Sequence, residues 1–560
     1  MVRLSWTSFL VVVGVAIGVA NGIPSKPFDG SYDFGYERNA YGPHPLVVFK
    51  SATQLEVPKL DVLQSSKSCE SSLYTLLTPR GGATHEPQAT ILDSNGDLIW
   101  TSGWNGQQLY NLMVQEYKGE KYLTFWAGDD AVGGHGAEVR AAYGLDADLH
   151  DFRITPSGTA LITVYHVIHK DLSEVGKNHI GPVWDCVIQE IDLETGLAVF
   201  QWQASDHWNL VDSYREIGDD GEGDRAYDYF HMNSIDKDAR GNYLTSSRYM
   251  HSLTYINGTT GEVIWILGGK RNMFRDLSNG TATNFAYQHD ARWSGKDTIT
   301  LFDNGVDDVH RDIATTRGLK LRVDENTMTV SVVAEYFNPH KIHGISQGSF
   351  QSLPNGNVLL GYGNSAAFTE FSSNGEVLCD THFGPESRFG TAEVQSYRVY
   401  KYEWHGMPKT SPASAIRRNS RRSWSFYVSW NGATEVSKWI LQGSEDLNGT
   451  DGGWKELNRT DRLGFETGFE ILETYPRYLR AAAVHDRGYM LGVSEPIDVE
   501  ETEEQFEPTS VLNYMDRENL PTQLALIAGS AIVVGIILRM GAVAWNNRPT
   551  VYWRLPTVPK

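Results

Sequence analysis

Apolar and polar positions along this chain fall into short alternations broken by polar turns, and long 3.6-residue apolar stripes are scarce before the C-terminal end. One kind of hairpin sets a turn, usually with glycine, ahead of an alternating strand. It reads DSNGDLIW at Asp93–Trp100, DLETGLAVFQW at Asp192–Trp202, NGTTGEVIWIL at Asn257–Leu267 and SSNGEVLCD at Ser372–Asp380, with a copy lacking the glycine at Asp324–Val333. A second kind interleaves with it: ITPSGTALIT at Ile154–Thr163, IDKDARGNYLTSS at Ile235–Ser247, WSGKDTITLFDNG at Trp293–Gly305 and SLPNGNVLLGYG at Ser352–Gly363. Two hairpins alternating at a steady spacing predict four-stranded units repeated about an axis, which is a β-propeller. Five pairs are visible, the weakest combining Gln115–Trp126 with Asp93–Trp100, and strands near Pro45–Leu77 and Tyr397–Trp404 would complete a sixth by joining the chain's two ends. The expectation is an all-β fold with a six-bladed propeller over residues 39–404; a sandwich of unrelated hairpins is the competing arrangement.

The texture changes after Trp404. Residues 405–423 are rich in Pro, Ser and Arg and read as a linker, in which Arg417, Arg418, Arg421 and Arg422 form a solvated run. Residues 424–500 carry short strands such as FYVSWNG, SKWILQGS and RYLRAAAVHD, which predict a small β-sandwich of the fibronectin type III kind. Residues 501–521 form an acidic juxtamembrane stretch, and residues 522–545 read as a transmembrane helix, uncharged from Leu524 to Leu538. Arg548 and Arg554 then place residues 546–560 on the cytoplasmic side. Residues 1–22 have the Arg3, apolar run and small-residue ending of a secretory signal peptide, with a retained anchor helix as the alternative. The sequons at Asn257, Asn279, Asn448 and Asn458 all lie in the body, consistent with glycosylation on the lumenal or extracellular side of the secretory pathway or cell surface.

Composition then narrows the function. A formal net charge of −21 speaks against nucleic acid as a partner. The three cysteines, Cys69, Cys186 and Cys379, allow at most one intramolecular disulfide, and their spacing does not say which. Neither a Cys/His metal cluster nor a P-loop cradle is present in the motifs, so no cofactor or metal is expected.

Candidate chemistry emerges when the second hairpins are laid in register. His150 opens HDFRITPSG, His231 opens HMNSIDKDARG, His289 opens HDARWSGKD, and Gln347 stands at the equivalent place in ISQGSFQSLPNG. In a propeller such positions ring the axis, and Arg248, ending the hairpin that His231 opens, would face the same channel. Clustered cations want an anion among them, which gives an anion site at one end of the channel. Two other readings stay open: side chains that only bond blade turns, and a three-histidine metal site, which Arg248 disfavours. His135 and Trp126 fall in a stretch read as a mouth loop, and His340 and His343 in an inter-blade connection.

The ordered motifs YNLMVQEYKGEKYLTFWAG, ADLHDFRITPSGTALIT, DYFHMNSIDKDARGNYLTSSR, GEVIWILGGKR, QHDARW and TLFDNG resemble the arylsulfotransferase family, in its form typical of fungi. That resemblance implies transfer of a sulfuryl group from an aryl sulfate ester to a phenol through a sulfohistidine, with no nucleotide donor. It implies His289 as nucleophile, His231, Asn233 and Arg248 as ligands of the sulfuryl oxygens, and His150 as the remaining site histidine; Gln347 is added as a substrate-binding residue from the register alone. The alternative is a non-catalytic, membrane-anchored propeller that binds glycans or proteins, favoured by a blocked channel or by histidines turned into the blades. A quinone-dependent dehydrogenase would need more blades and a calcium-binding carboxylate cluster.

Overall fold

A computed structural model describes residues 33–103, 106–128, 145–305, 316–420, 423–447, 453–472 and 476–500. Among the described residues the fold is almost wholly β, with a four-residue α-helix at Phe34–Glu37. Three sheets between Ala147 and Tyr336 each contain four antiparallel strands in chain order, as the alternating hairpins predict. The first takes Ala147–Ile154, Thr159–Asp171, Ile180–Asp192 and Ala198–Gln203; the second Met232–Lys237, Tyr243–Ser247, Ser252–Ile256 and Val263–Gly268. The third takes His289–Trp293, Thr298–Asp303, Arg317–Asp324 and Thr329–Tyr336. A fourth repeats the plan with Ser349–Ser352, Val358–Gly361, Ala367–Phe371 and Val377–His382, and Asp61–Gln64 lies along its last strand.

The two ends of this region meet. Val399–Tyr402 pairs antiparallel with Tyr74–Leu77, and the sheet continues through Thr90–Leu92 and Leu98–Thr101. This leaves Gln108–Tyr117 and Glu120–Gly128 as a separate two-stranded sheet, so Gln115–Trp126 does not share a unit with Asp93–Trp100 as the spacing suggested. The strand Tyr74–Leu77 has already claimed the Asp93 hairpin. The leading strands Gln108–Tyr117, Ala147–Ile154, Met232–Lys237, His289–Trp293, Ser349–Ser352 and Val399–Tyr402 touch one another in that order and back to the first. Between neighbouring sheets the sequence supplies apolar residues at alternate positions, such as Leu253 and Trp265 against Ile299 and Leu301, all buried. A disulfide joins Cys69, just before Tyr74–Leu77, to Cys379 on Val377–His382, while Cys186 is a buried thiol.

Residues 405–423 are not simply a linker. Ala413–Ser420 is a strand, paired with Ser423–Ser429, because the Ser/Arg-rich stretch still alternates and its partner carries the apolar residues. These two strands and Glu466–Leu472 form one sheet, and Lys455–Asp461, Lys438–Ser444, Tyr478–Val484 and Met490–Val493 form a second. Trp424, Phe426, Trp439, Phe469 and Leu479 fill one core between them. This unit is docked on the ring. Asn431 accepts a bond from the Thr101 N–H and donates one to the Thr101 carbonyl, both 2.9 Å, extending the edge strand Leu98–Thr101. Glu466 accepts from the N–H groups of Lys50 and Ser51, and Phe49 meets Phe465 at 4.6 Å. The signal segment 1–22, the stretch 501–521, the apolar segment 522–545 and the tail 546–560 lie outside the described residues. Among the described residues no helix is long and apolar enough to cross a membrane.

Candidate functional site

The polar residues that open the leading strands turn inward through unusual backbone. His231 has φ 56° and Gln347 φ 65°, conformations costing a β-carbon-bearing residue about 1 kcal/mol or more, and such strain gathers at functional sites. The Arg248 N–H donates to the His231 carbonyl at 2.9 Å, so the two ends of that hairpin are side by side as the register predicted.

His150 and His231 face each other. Their Nε2 atoms are 3.2 Å apart, and each Nδ1–H donates to a carboxylate, His150 to Asp148 and His231 to Asp228, both at 2.5 Å. Tyr165 stacks on His150 with ring centres 5.3 Å apart, and Tyr249 meets His231 edge-on at 4.9 Å. The side chains of His150 and His231 keep 12% and 19% of their exposure, so this pair is reachable from one face. Arg248 stands beside them with its guanidinium 4.1 Å from the Tyr287 ring centre and a hydrogen bond to the Tyr249 hydroxyl.

His289 is 2% exposed and held at both nitrogens. Its Nδ1–H donates to Asn304 Oδ1 at 2.8 Å. The Asn304 amide is fixed in turn, since its Nδ2 donates to the carbonyls of Gly344 and Gln347. Oδ1 must therefore be the atom facing the imidazole, which puts the proton on Nδ1 and a lone pair on Nε2. That lone pair accepts the Gln347 N–H at 3.2 Å. The Gln347 side chain is clamped between Arg80 Nη2 at 2.9 Å and Gln395 Oε1 at 2.8 Å. Tyr397 sits between the groups, its ring 5.8 Å from His150 and 6.3 Å from His289.

Burial pushes the His289 pKa well below the ordinary imidazole value; Arg248 pushes the same way, and so do His231 and His150, against the bond to Asn304. Burial also lowers His231, aided by His150 and Arg248, while Asp228 opposes. An imidazole with a lowered folded-state pKa stays neutral where the unfolded chain takes up a proton. For His289, stability is thus fully present above the unfolded value of about 6.5 and falls as pH drops below it, by about 1.4 kcal/mol per pH unit. Urea unfolding between pH 7 and 5 is expected to show this loss, with a shallower slope for His289→Gln; an unchanged slope would count against a neutral His289.

One residue further along the same strands lies a closed layer of charge. Asp151 follows His150, Asp290 follows His289, and Arg398 follows Tyr397. Arg292 donates to Asp151 at 3.1 Å and to Asp290 at 2.8 Å, and Arg398 donates to Asp151 at 2.9 Å. Asp290 also accepts from the Tyr400 hydroxyl at 2.9 Å and the Phe350 N–H at 3.0 Å. Arg292 and Arg398 close the layer on the carbonyls of Ile235 and Asn233. Burial raises the Asp151 pKa, but Arg292 and Arg398 outweigh it and hold the carboxyl well below the usual range. The histidines therefore occupy a half-buried recess backed by a layer of two aspartates and two arginines.

Of the predicted residues, His150, His231, His289, Arg248 and Gln347 come together. Asn233 is fully buried; its Nδ2 donates to the carbonyl of Gln288, the residue before His289, at 2.7 Å, and its Oδ1 has no hydrogen-bond partner among the described residues. Trp126 lies in a strand against Tyr110, not in a loop; His340 and His343 lie in a connection between strands, and His343 adjoins Gly344, whose carbonyl accepts from Asn304. His135 and Asn448 lie outside the described residues; Asn279 and Asn458 are exposed and Asn257 is half-buried in a turn. The recess adds Asp148, Asp228, Asn304, Arg80, Gln395 and Tyr397, which the register of hairpins did not reveal. Among the described residues no group of three His, Cys, Asp or Glu could hold a metal ion.

Residues 139–384 match the arylsulfotransferase (ASST) family. That span contains His150, His231, Arg248, His289 and Gln347 with Asp148, Asp228 and Asn304, but not Arg80 or Tyr397. No curated protein matches the chain. Similar solved structures include a protein of unknown function from Bacteroides caccae, 14% identical, covering 60% of this chain and all of that one, TM-score 0.33. Apo AztD from Citrobacter koseri is 12% identical, covers 72% of this chain and 99% of that one, and has a TM-score of 0.26.

Proposed function

We propose that this chain transfers a sulfuryl group between an aryl sulfate ester and a phenol, with His289 as nucleophile. The observation that carries the reading is the Asn304-fixed tautomer, which leaves a neutral imidazole with its lone pair on Nε2 beside Arg248 and two further histidines. The match to the arylsulfotransferase family supports a sulfotransferase-like function. Attack at sulfur forms the S–N bond and breaks the S–O bond to the aryl group; a phenol then attacks the sulfohistidine in the reverse sense. Charge on the sulfuryl oxygens is stabilised by Arg248 and by N–H donors, among them the Gln347 amide once Nε2 exchanges it for sulfur. Tyr110, Tyr165, Tyr249, Tyr287 and Tyr397 give the recess an aromatic wall suited to an aryl group.

The closed ring of leading strands supports reading the six sheets as six blades. The order of the two C-terminal sheets supports a fibronectin III-like sandwich. We further propose the anchored, single-pass arrangement with a lumenal or extracellular body, resting on the two apolar end segments.

A second reading, a non-catalytic binder of glycans or proteins, is favoured by the occupied Nε2 of His289 and by the charged layer that backs the recess. Incubating the full-length protein with a chromogenic aryl sulfate and a phenol acceptor separates the two. The expected result is acceptor-dependent phenol release with ping-pong kinetics, and a chain heavier by one SO₃ when donor alone is supplied. No release with any of several donors, from folded protein, would give the binder.

A further inference from the structure

Two imidazoles whose Nδ1–H groups both donate to carboxylates can approach through their Nε2 atoms only if a proton lies between them, because two lone pairs 3.2 Å apart repel. From this geometry we propose that Asp148, His150, His231 and Asp228 form a single-proton device, and that its shared proton is the acid for the leaving phenolate. The inference rests on the sulfuryl-transfer reading and extends it by assigning Asp148 and Asp228 as positioning residues.

The arrangement explains why two carboxylates sit beside a site meant for an anion. Each fixes its histidine's tautomer and ring orientation, and together they offset the imidazolium and Arg248, so the recess is not too cationic to form empty. The groups facing the pair are Asp148 and Asp228 on the Nδ1 side, Arg248 and His289 across the recess, and Tyr165, Tyr249 and Tyr397 around the rings. No other carboxylate among the described residues bonds either imidazole.

The proton balance closes over the cycle. As the His289 lone pair forms the S–N bond, the S–O(aryl) electron pair stays on the phenolic oxygen, which takes the shared proton and leaves as a phenol. The pair is then left neutral with opposed lone pairs. The incoming phenol returns a proton to it as its oxygen attacks sulfur and the S–N bond breaks. Because the acid matters most when the leaving oxygen is basic, the device also sets donor range: it admits esters of ordinary phenols, not only of activated nitrophenols.

The test combines two readouts on the full-length protein. With ¹⁵N-labelled histidine, NMR at neutral pH is expected to show His150 and His231 both protonated at Nδ1 and sharing one Nε2 proton. Two independently neutral rings, or a pair that binds added zinc stoichiometrically in place of the proton, would overturn the proposal. In kinetics, His231→Gln and Asp228→Asn are compared over donors of rising phenol basicity. General acid catalysis is worth about 10²–10⁴-fold, so a loss of that order is expected for unactivated phenyl sulfates and less than about 10-fold for nitrophenyl sulfate. An equal loss with every donor would overturn the acid role while leaving sulfuryl transfer intact. No transfer by the wild-type protein with any donor would overturn both, and a folded Asp228→Asn with an unaltered NMR pattern would remove Asp228 from the device.

Discussion

Replacing His289 by alanine is expected to lower sulfuryl transfer by about 10⁴-fold or more with little change in KM, since the variant loses the covalent step and keeps the remaining contacts to substrate. The side chain is buried at the start of a leading strand, with no other described imidazole bonded to Asn304, so no neighbour can take its place. Added imidazole should restore part of the rate if the alanine leaves a cavity at that position. Asn304→Ala is the sharper control. It keeps the nucleophile but frees the proton to sit on Nε2, and loss of a tautomer-fixing partner costs about 10⁴-fold in the best-studied triads. A smaller fall is expected here, because the Gln347 N–H still favours a lone pair on Nε2. Stopped donor-only reactions followed by intact-mass measurement check both variants. A sulfated chain that persists in His289→Ala would move the nucleophile to His150 or His231.

The positions of His150, His231, His289 and Gln347 were legible because a hairpin repeat carries its register with it: equivalent places in successive units must come to equivalent places in the ring. Arg248 followed from the same hairpin. Asp148 and Asp228 were not legible because their offsets from the histidines differ, two residues in one case and three in the other, and depend on where each strand begins to twist inward. Asn304 lies in an ordinary-looking DNG turn, and only tertiary structure brings that turn to His289. Asn233 was carried over from family resemblance, and the structure ties its amide to the carbonyl of Gln288, the residue before His289. The strand Ala413–Ser420 was hidden by composition, since an edge strand facing solvent can be rich in Ser and Arg and still pair. Closure by Val399–Tyr402 was visible only as a count of strands left over at both ends, and the disulfide pairing was not visible at all.

The second large effect concerns stability. Asp151→Ala is expected to destabilise the fold by about 3–5 kcal/mol, because it leaves Arg292 and Arg398 buried together with one carboxylate fewer. Asp290 cannot compensate for both: its oxygens already serve Arg292, Tyr400 and the Phe350 N–H. Asp151→Asn should cost less, since the amide oxygen can still accept one guanidinium bond. This cluster joins strands from five sheets, so its loss should loosen the ring as a whole and shift the urea midpoint with little change in slope. Replacing a buried ion cluster wholly by apolar residues is often neutral or stabilising, so a quadruple apolar variant at Asp151, Asp290, Arg292 and Arg398 tests what the charges are for. If that variant regains stability but not transfer, the layer's role is to set where His150 and His289 point, because each is bonded directly to an aspartate of the layer. If it regains both, the layer is a plug and the recess beside it is organised by its own carboxylates, Asp148 and Asp228.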